Sequence, residues 1–137
     1  MKIHKSYGII PILKNSQPLQ TVIIKNKKSE YWGSPKGTPE INETPLETAI
    51  RELQEETGIA EIRVDEAKTF TEEYEIESDG QKAQKINTYW VGYYEFLPKD
   101  VEIDSLEARQ VTFPEALVTL SFESARRIIG EVEEYLK

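Results

Sequence analysis

Three glutamates, Glu52, Glu55 and Glu56, stand close together in a stretch that has the sequence pattern of a helix. At about 100° per residue they share one stripe near the C-terminal end of that helix, where the macrodipole is negative. Like charges three or four residues apart each cost about 0.2–0.5 kcal/mol, so stability alone does not explain them. Carboxylate oxygens on a rigid element are the ligands that Mg²⁺ or Mn²⁺ prefers. The spacing therefore predicts a divalent-metal site, with a solvated acidic face as the alternative.

The helix that would carry these acids has a recognisable start and end. Thr44 is a suitable N-cap, Pro45 fits the first helical position, and Glu47 completes a capping box with Thr44. Gly58 can adopt the left-handed conformation that ends a helix, so we predict a helix over residues 45–57. Its core-facing stripe consists of Leu46, Ala49, Ile50 and Leu53.

The acids also belong to a longer fixed pattern: a glycine, a glutamate after five residues, and after seven more the run R-E-U-x-E-E-x-G-U, where U is aliphatic. Every fixed position is filled, by Gly37, Glu43, Arg51, Glu52, Leu53, Glu55, Glu56, Gly58 and Ile59. The chain thereby resembles the Nudix hydrolases. The resemblance implies an α+β fold, namely an α/β/α sandwich with a mixed, mostly antiparallel central sheet. It also implies Mg²⁺-dependent hydrolysis of a nucleoside diphosphate linked to another moiety.

The resemblance further implies roles for individual residues. Arg51, a planar and always charged group, would hold a glutamate carboxylate in position. One carboxylate must act as the base that activates water, and Glu55 or Glu107 is predicted for that role, because related enzymes often place an acid in the segment of Glu107. The metal ion, Mg²⁺ or in its place Mn²⁺, would be held by the Gly37 carbonyl, Glu52, Glu55 and Glu56.

Motifs outside this pattern resemble the asymmetric diadenosine tetraphosphate hydrolases. The W-G-x-P-K-G approach at residues 32–37 positions Lys36 to meet a phosphate. Tyr74 and Lys85 lie before a Tyr-Trp strand, where those relatives carry a Tyr and a Lys, and the run around Glu107 is similar as well. A dinucleoside polyphosphate is therefore the favoured substrate. The sequence departs from these relatives at Thr38, Asn42 and Phe113, where they show His, Gly and Trp.

Other functions stay open at this point. A second enzymatic interpretation is a pyrophosphohydrolase for nucleoside triphosphates, damaged nucleotides or a 5′-triphosphate RNA end. A diphosphoinositol hydrolase would need a basic pocket that this acidic sequence does not suggest. A non-catalytic nucleotide-binding module on the same fold would predict a decayed pattern, whereas every acid is retained here.

Length and composition limit the class of protein. The 137 residues are enough for one domain, residues 1–137, with a sizeable core. Seventeen basic and twenty-five acidic residues give a net charge of −8, which argues against general nucleic-acid binding. The absence of Cys and of a long apolar run predicts a soluble, cytoplasmic protein without membrane association, as a monomer or homodimer.

The remaining pattern predicts mostly strands. Residues 7–13 and 19–25 are predicted to form a first hairpin, and residues 62–85 lead into a second one that turns at Asp79-Gly80. Residues 86–96 are rich in aromatics and should form a central strand. We expect an acidic loop at 100–109, a short strand at 110–113, a helical turn at 114–117, and a last helix at 122–136 capped by Ser121.

Overall fold

A computed structural model describes residues 1–98 and 106–137 of the chain. Its elements in chain order are β1 (Lys2–Leu13), β2 (Gln20–Asn26), β3 (Trp32–Gly33), β4 (Lys36–Gly37), α1 (Pro45–Thr57), β5 (Arg63–Ser78), β6 (Gln81–Tyr94), β7 (Leu106–Thr112), α2 (Phe113–Thr119) and α3 (Glu123–Tyr135).

The strands form two hydrogen-bonded sheets. A four-stranded sheet has the order β4-β1-β6-β5, and a three-stranded sheet has the order β3-β2-β7. The pairing of β1 with β6 is parallel, and every other pairing is antiparallel. β6 lies between β1 and β5, so the predicted central position of its C-terminal half is confirmed.

Helices cover both faces of the four-stranded sheet, because neighbouring residues of β1 point to opposite sides. Ile9 is fully buried with Ala49 and Leu53 of α1. Ile10 is fully buried on the other face, in a core that includes Ile128 of α3. The expected α/β/α sandwich with a mixed, mostly antiparallel sheet is confirmed.

Both ends of α1 form as the sequence predicts. The Thr44 hydroxyl accepts a hydrogen bond from the Glu47 backbone N–H (3.2 Å), and the Glu47 carboxylate accepts one from the Thr44 N–H (2.9 Å). Gly58 ends the helix with φ = 79°, a conformation that glycine adopts at no steric cost. The second hairpin is also confirmed, with Asp79 and Gly80 at positive φ between β5 and β6.

The predicted hairpin of β1 with β2 is wrong. β1 pairs with β4 and β6, whereas β2 pairs with β3 and β7 in the other sheet. Both strands contribute to the buried core, through Ile10 and Ile23, so they pack through side chains instead of sharing a hydrogen-bond ladder. Apolar alternation predicts that a strand exists but does not identify its partner.

Two expectations near the C-terminus also need correction. Of the loop expected at 100–109, residues 100–105 lie outside the described part and residues 106–109 belong to β7, so Glu107 lies on a strand. Ser121 does not cap α3, whose N-cap is Phe122 without a side-chain hydrogen bond. The Ser121 hydroxyl instead accepts a hydrogen bond from the Trp32 N–H (2.8 Å), which ties β3 to the segment between α2 and α3. No helix within the described ranges is long and apolar enough to cross a membrane.

Candidate active site

The C-terminal half of α1 lies against the short strand β4, and the contact depends on a glycine. A Cβ atom at Gly37 would overlap the carboxyl carbon and Oε1 of Glu52. β4 is itself held in place by antiparallel pairing with β1, where Gly37 faces Tyr7. Any larger residue at position 37 would therefore displace the Glu52 carboxylate. This close approach explains why the pattern begins with glycine.

The Arg51 guanidinium organises the acids around it. Its Nε and Nη2 donate to the two oxygens of Glu43 (2.7 and 3.0 Å), which is a bidentate pair. Its Nη1 donates to Glu52 Oε1 (2.8 Å) and Glu55 Oε2 (3.1 Å). Nη2 also donates to the Thr38 carbonyl (3.0 Å), which fixes the chain that follows Gly37. The Arg51 side chain is only 22% exposed, so it acts as a positioning group beneath the acids.

Glu43 is the fixed end of this arrangement. Its carboxylate also accepts hydrogen bonds from the Thr48 hydroxyl (2.6 Å) and the Glu40 N–H (3.1 Å). The hydrogen bonds from Arg51, Thr48 and Glu40 lower the pKa of Glu43 to about 2. The hydrogen bonds that Arg51 donates, first to Glu43 and then to Glu52 and Glu55, raise the pKa of Arg51 above its usual range. Both groups remain charged at every physiological pH, so the ion pair between Glu43 and Arg51 persists over that whole range.

Glu56 is a partly buried acid of α1 that contacts β4. Its Oε1 accepts a hydrogen bond from the Lys36 backbone N–H (3.0 Å), which links the helix to β4 a second time. Burial, and next the neighbouring Glu52 carboxylate, raise the pKa of Glu56 to about 8. Glu52 and Glu56 therefore repel each other when both are ionised, and in the absence of a cation Glu56 keeps its proton at neutral pH.

The chemistry of this donor set fits a hard divalent cation. Mg²⁺ binds carboxylate and carbonyl oxygens, and it would replace the repulsion between Glu52 and Glu56 with attraction. Within residues 1–98 and 106–137, no three acidic or histidine side chains already have the arrangement of a metal-ligand set. Arg51 holds Glu52 and Glu55 toward itself, so these side chains must rotate to bind an ion.

Glu55 and Glu107, the two candidates for the base, lie on different elements. Glu55 projects from α1 with 55% of its side chain exposed and contacts Arg51. Glu107 lies on β7, opposite Lys25 of β2, and its carboxylate accepts a hydrogen bond from Arg109 (3.1 Å). No hydrogen bond joins Glu107 to the α1 acids in the described part of the chain.

The three predicted substrate residues converge at one end of the four-stranded sheet. Tyr74 and Lys85 are direct cross-strand neighbours on β5 and β6. Burial, and next the charge of Lys36, lower the pKa of Lys85, so the two lysines lie near each other. The Lys85 Nζ donates to the Ser6 hydroxyl (2.6 Å). Lys36 and Lys85 form a cationic patch, and the Lys36 backbone N–H also donates to Glu56 (3.0 Å).

The sequence interpretation missed a buried polar cluster next to this patch. Glu72 on β5 is 3% exposed, and its Oε1 accepts hydrogen bonds from Asn87 Nδ2 (2.9 Å) and the Tyr89 hydroxyl (3.0 Å). Asn87 Nδ2 also donates to the Tyr74 hydroxyl (3.2 Å). The alternation of side chains along β5 could have revealed this cluster. Glu72 lies in a polar run but on the same face of the strand as Phe70 and Tyr74.

Comparisons with known proteins agree with this geometry. The model of the NUDIX domain family matches residues 2–128. The asymmetrical bis(5′-nucleosyl)-tetraphosphatase of Rattus norvegicus is 29% identical over 132 residues, which are 93% of this chain and 87% of that protein. An 8-oxo-dGTP diphosphatase of Proteus vulgaris is 38% identical over 58 residues, 42% of this chain and 52% of that protein. The crystal structure of a C. elegans Ap4A hydrolase binary complex superposes with a TM-score of 0.79 at 20% identity, covering 97% of each chain.

Proposed function

Since this chain belongs to the NUDIX domain family and is a Nudix pyrophosphohydrolase, we propose that it hydrolyses a dinucleoside polyphosphate such as diadenosine tetraphosphate with Mg²⁺. The approach of the Glu52 carboxylate to Gly37 and of the Glu56 carboxylate to the Lys36 N–H supports the proposal for the chemistry. The likeness to a tetraphosphatase over 93% of the chain supports the proposal for the substrate.

The proposed metal ligands are the three α1 acids and the Gly37 carbonyl. Bound there, Mg²⁺ would neutralise phosphate charge and lower the pKa of the attacking water. Arg51 positions Glu52 and Glu55, and Lys36 and Lys85 bind phosphate oxygens. Tyr74, beside Lys85, contacts the nucleoside end of the substrate. The complete metal-binding set is Gly37, Glu52, Glu55 and Glu56.

The base is proposed to be Glu55 or Glu107. Glu55 lies on α1 next to the proposed metal ligands Glu52 and Glu56, and it is exposed enough to hold a water molecule at one oxygen. Glu107 would act from β7, across the gap between the sheets. Turnover of Glu55→Gln and Glu107→Gln is compared at saturating substrate and saturating Mg²⁺, because loss of the base lowers kcat by about 10²–10⁴-fold even when the metal is bound.

Product analysis tests the reaction. Diadenosine tetraphosphate incubated with the protein and Mg²⁺ should yield ATP and AMP, and chelation of the metal should abolish the reaction. Nucleoside triphosphates in the same panel test the alternative, a mononucleotide pyrophosphohydrolase. A clear preference for triphosphates would reject the dinucleotide proposal, and activity that persists under chelation would reject the metal.

Substitution of one metal-binding acid tests the site. Glu52→Gln should lower turnover by about 100-fold or more while thermal unfolding stays close to that of the wild type, because the carboxylate lies at the edge of the core. Glu61→Gln, at an exposed position beyond the end of α1, is the matched control. Wild-type turnover in Glu52→Gln would contradict the assignment.

A further inference from the structure

The buried carboxylate of Glu72 has one oxygen without a partner. Asn87 and Tyr89 both donate to Oε1, whereas Oε2 has no hydrogen-bond partner among the described residues. Buried polar atoms are nearly always paired, so an orphaned one in a well-packed strand needs an explanation. If Glu72 served only to accept these two hydrogen bonds, a glutamine could accept them as well. The glutamine would not leave a charged oxygen buried.

The Glu72 side chain lines a cavity of about 280 Å³ between the two sheets. The same cavity is lined at one side by Lys36 and Glu56, which belong to the proposed phosphate and metal end. Tyr31 and Phe122 also line it, with their rings in edge-to-face contact (4.9 Å between centroids) and each about half exposed. This cavity has the features of a nucleobase site, because it adjoins the proposed phosphate site and combines aromatic walls with a buried polar group.

We propose that Glu72 determines base specificity, and that the base it accepts is one with two adjacent N–H donors on its Watson–Crick edge, as guanine has. This inference rests on the proposed function, because it assumes that a nucleotide phosphate chain lies at Lys36 and Glu56.

The chemistry of the two purine edges supports this choice. A carboxylate oxygen accepts up to two hydrogen bonds and donates none, so Oε2 matches the neighbouring N1–H and N2–H of guanine. Adenine presents its N6 amino donor beside the N1 acceptor, and that acceptor would face a negative oxygen. Asn87 and Tyr89 both donate to Oε1, so the rotation that would exchange the two oxygens is opposed. Glu72 therefore keeps Oε2 as an acceptor, which a base reaches once the cavity walls shift, since this oxygen is buried before binding.

The base preference of the wild-type protein is the first test and needs no variant. Hydrolysis of diguanosine, diinosine and diadenosine tetraphosphate with Mg²⁺ should show kcat/KM falling in that order, because hypoxanthine keeps N1–H and lacks the 2-amino group. We expect about a tenfold or larger ratio between guanine and adenine substrates. Equal values for guanine and adenine, or a preference for adenine, would overturn the proposal.

Glu72→Gln is the sharper test because it is isosteric. The amide oxygen can still accept from Asn87 and Tyr89, while the amide NH₂ then takes the place of Oε2 and turns an acceptor into a donor. We expect the ratio of kcat/KM for the guanine substrate to kcat/KM for the adenine substrate to fall below about threefold. Glu73→Gln is the matched control, since Glu73 is the next residue on β5, exposed, and contacts only Gln84 in the described residues. A ratio in Glu72→Gln equal to that of Glu73→Gln would contradict the role of Glu72.

Equilibrium binding separates this inference from the proposed function. Calorimetric titration with GDP, IDP and ADP measures base selection whether or not the protein hydrolyses a dinucleotide. Tighter binding of GDP without hydrolysis of any tetraphosphate would reject the proposed substrate and retain the base site. Hydrolysis with equal binding of GDP and ADP would retain the proposed function and reject the base site.

Discussion

At the scale of single residues, the site depends on the planar shape of one guanidinium. Arg51 donates to Glu43, Glu52, Glu55 and the Thr38 carbonyl at the same time. A lysine ammonium carries the same charge but lacks the rigid fork that makes the bidentate contact with Glu43. Charge alone is therefore insufficient, and the geometry of the arginine positions the acids.

Replacing Arg51 by Lys tests this role. Arg51→Lys should lower kcat/KM by about 10–100-fold, because groups that orient metal ligands typically contribute that much. Kinetics in a Mg²⁺ titration should also show a higher metal concentration for half-maximal activity, a shift that a merely structural role would not cause. Arg127→Lys on α3, where the arginine pairs with Glu131, is the control. Wild-type metal dependence in Arg51→Lys would contradict the positioning role.

At the scale of elements, α1 is well capped at both ends but contains an acidic stripe that is unfavourable for helix stability. A capping box and Pro45 stabilise its start, and Gly58 ends it, while its last turn contains no basic residue to offset the macrodipole. The caps therefore compensate locally for the acids that the site needs. The stability of this helix should depend on its N-terminal hydroxyl more than on any exposed side chain in its middle.

The N-cap prediction can be measured directly. Thr44→Ala should lower the free energy of unfolding by about 1 kcal/mol, because it removes the acceptor for the Glu47 N–H. Thr44→Ser keeps that acceptor and should stay close to the wild type. Urea denaturation of the metal-free protein measures both variants. Equal losses in Thr44→Ala and Thr44→Ser would show that the methyl group, and not the cap, matters.

At the scale of the whole molecule, binding of a cation should be coupled to stability. The chain carries a net charge of −8, and burial together with the neighbouring Glu52 raises the pKa of Glu56 to about 8. A ligand that binds only the folded state stabilises it by mass action, by about 2.7 kcal/mol at 100 times its dissociation constant. The acids of α1 would then be destabilising without metal and stabilising with it.

Thermal unfolding tests this coupling. Mg²⁺ should raise the Tm of the wild type by several degrees, increasing with the logarithm of its concentration. The double variant Glu52→Gln, Glu56→Gln should start at a higher Tm in chelator, since the cost of ionising Glu56 in a buried position beside Glu52 is removed, and should respond little to Mg²⁺. NaCl at matched ionic strength controls for screening. An equal response of both proteins to Mg²⁺ would place the ion elsewhere.

The sequence alone determined α1, the second hairpin and the set of acids that the site proposal uses. These features depend on interactions between residues close in the chain: a hydroxyl and an amide three positions apart at Thr44, a left-handed glycine at Gly58, and a two-residue turn at Asp79-Gly80. Such contacts form wherever the segment is placed, so their residue types suffice to predict them.

The tertiary structure decided which strands pair and which polar groups meet. β1 takes β6 as a partner more than 70 positions away in the chain, and β2 takes β7, because burial of both sheet faces outweighs the proximity of β1 and β2 in sequence. The pairing of Glu72 with Asn87 follows from the register of β5 and β6, and the cavity in front of it exists only because α3 and the second sheet close over that face. Long-range packing therefore determined the surroundings of Glu72, which no local pattern contains.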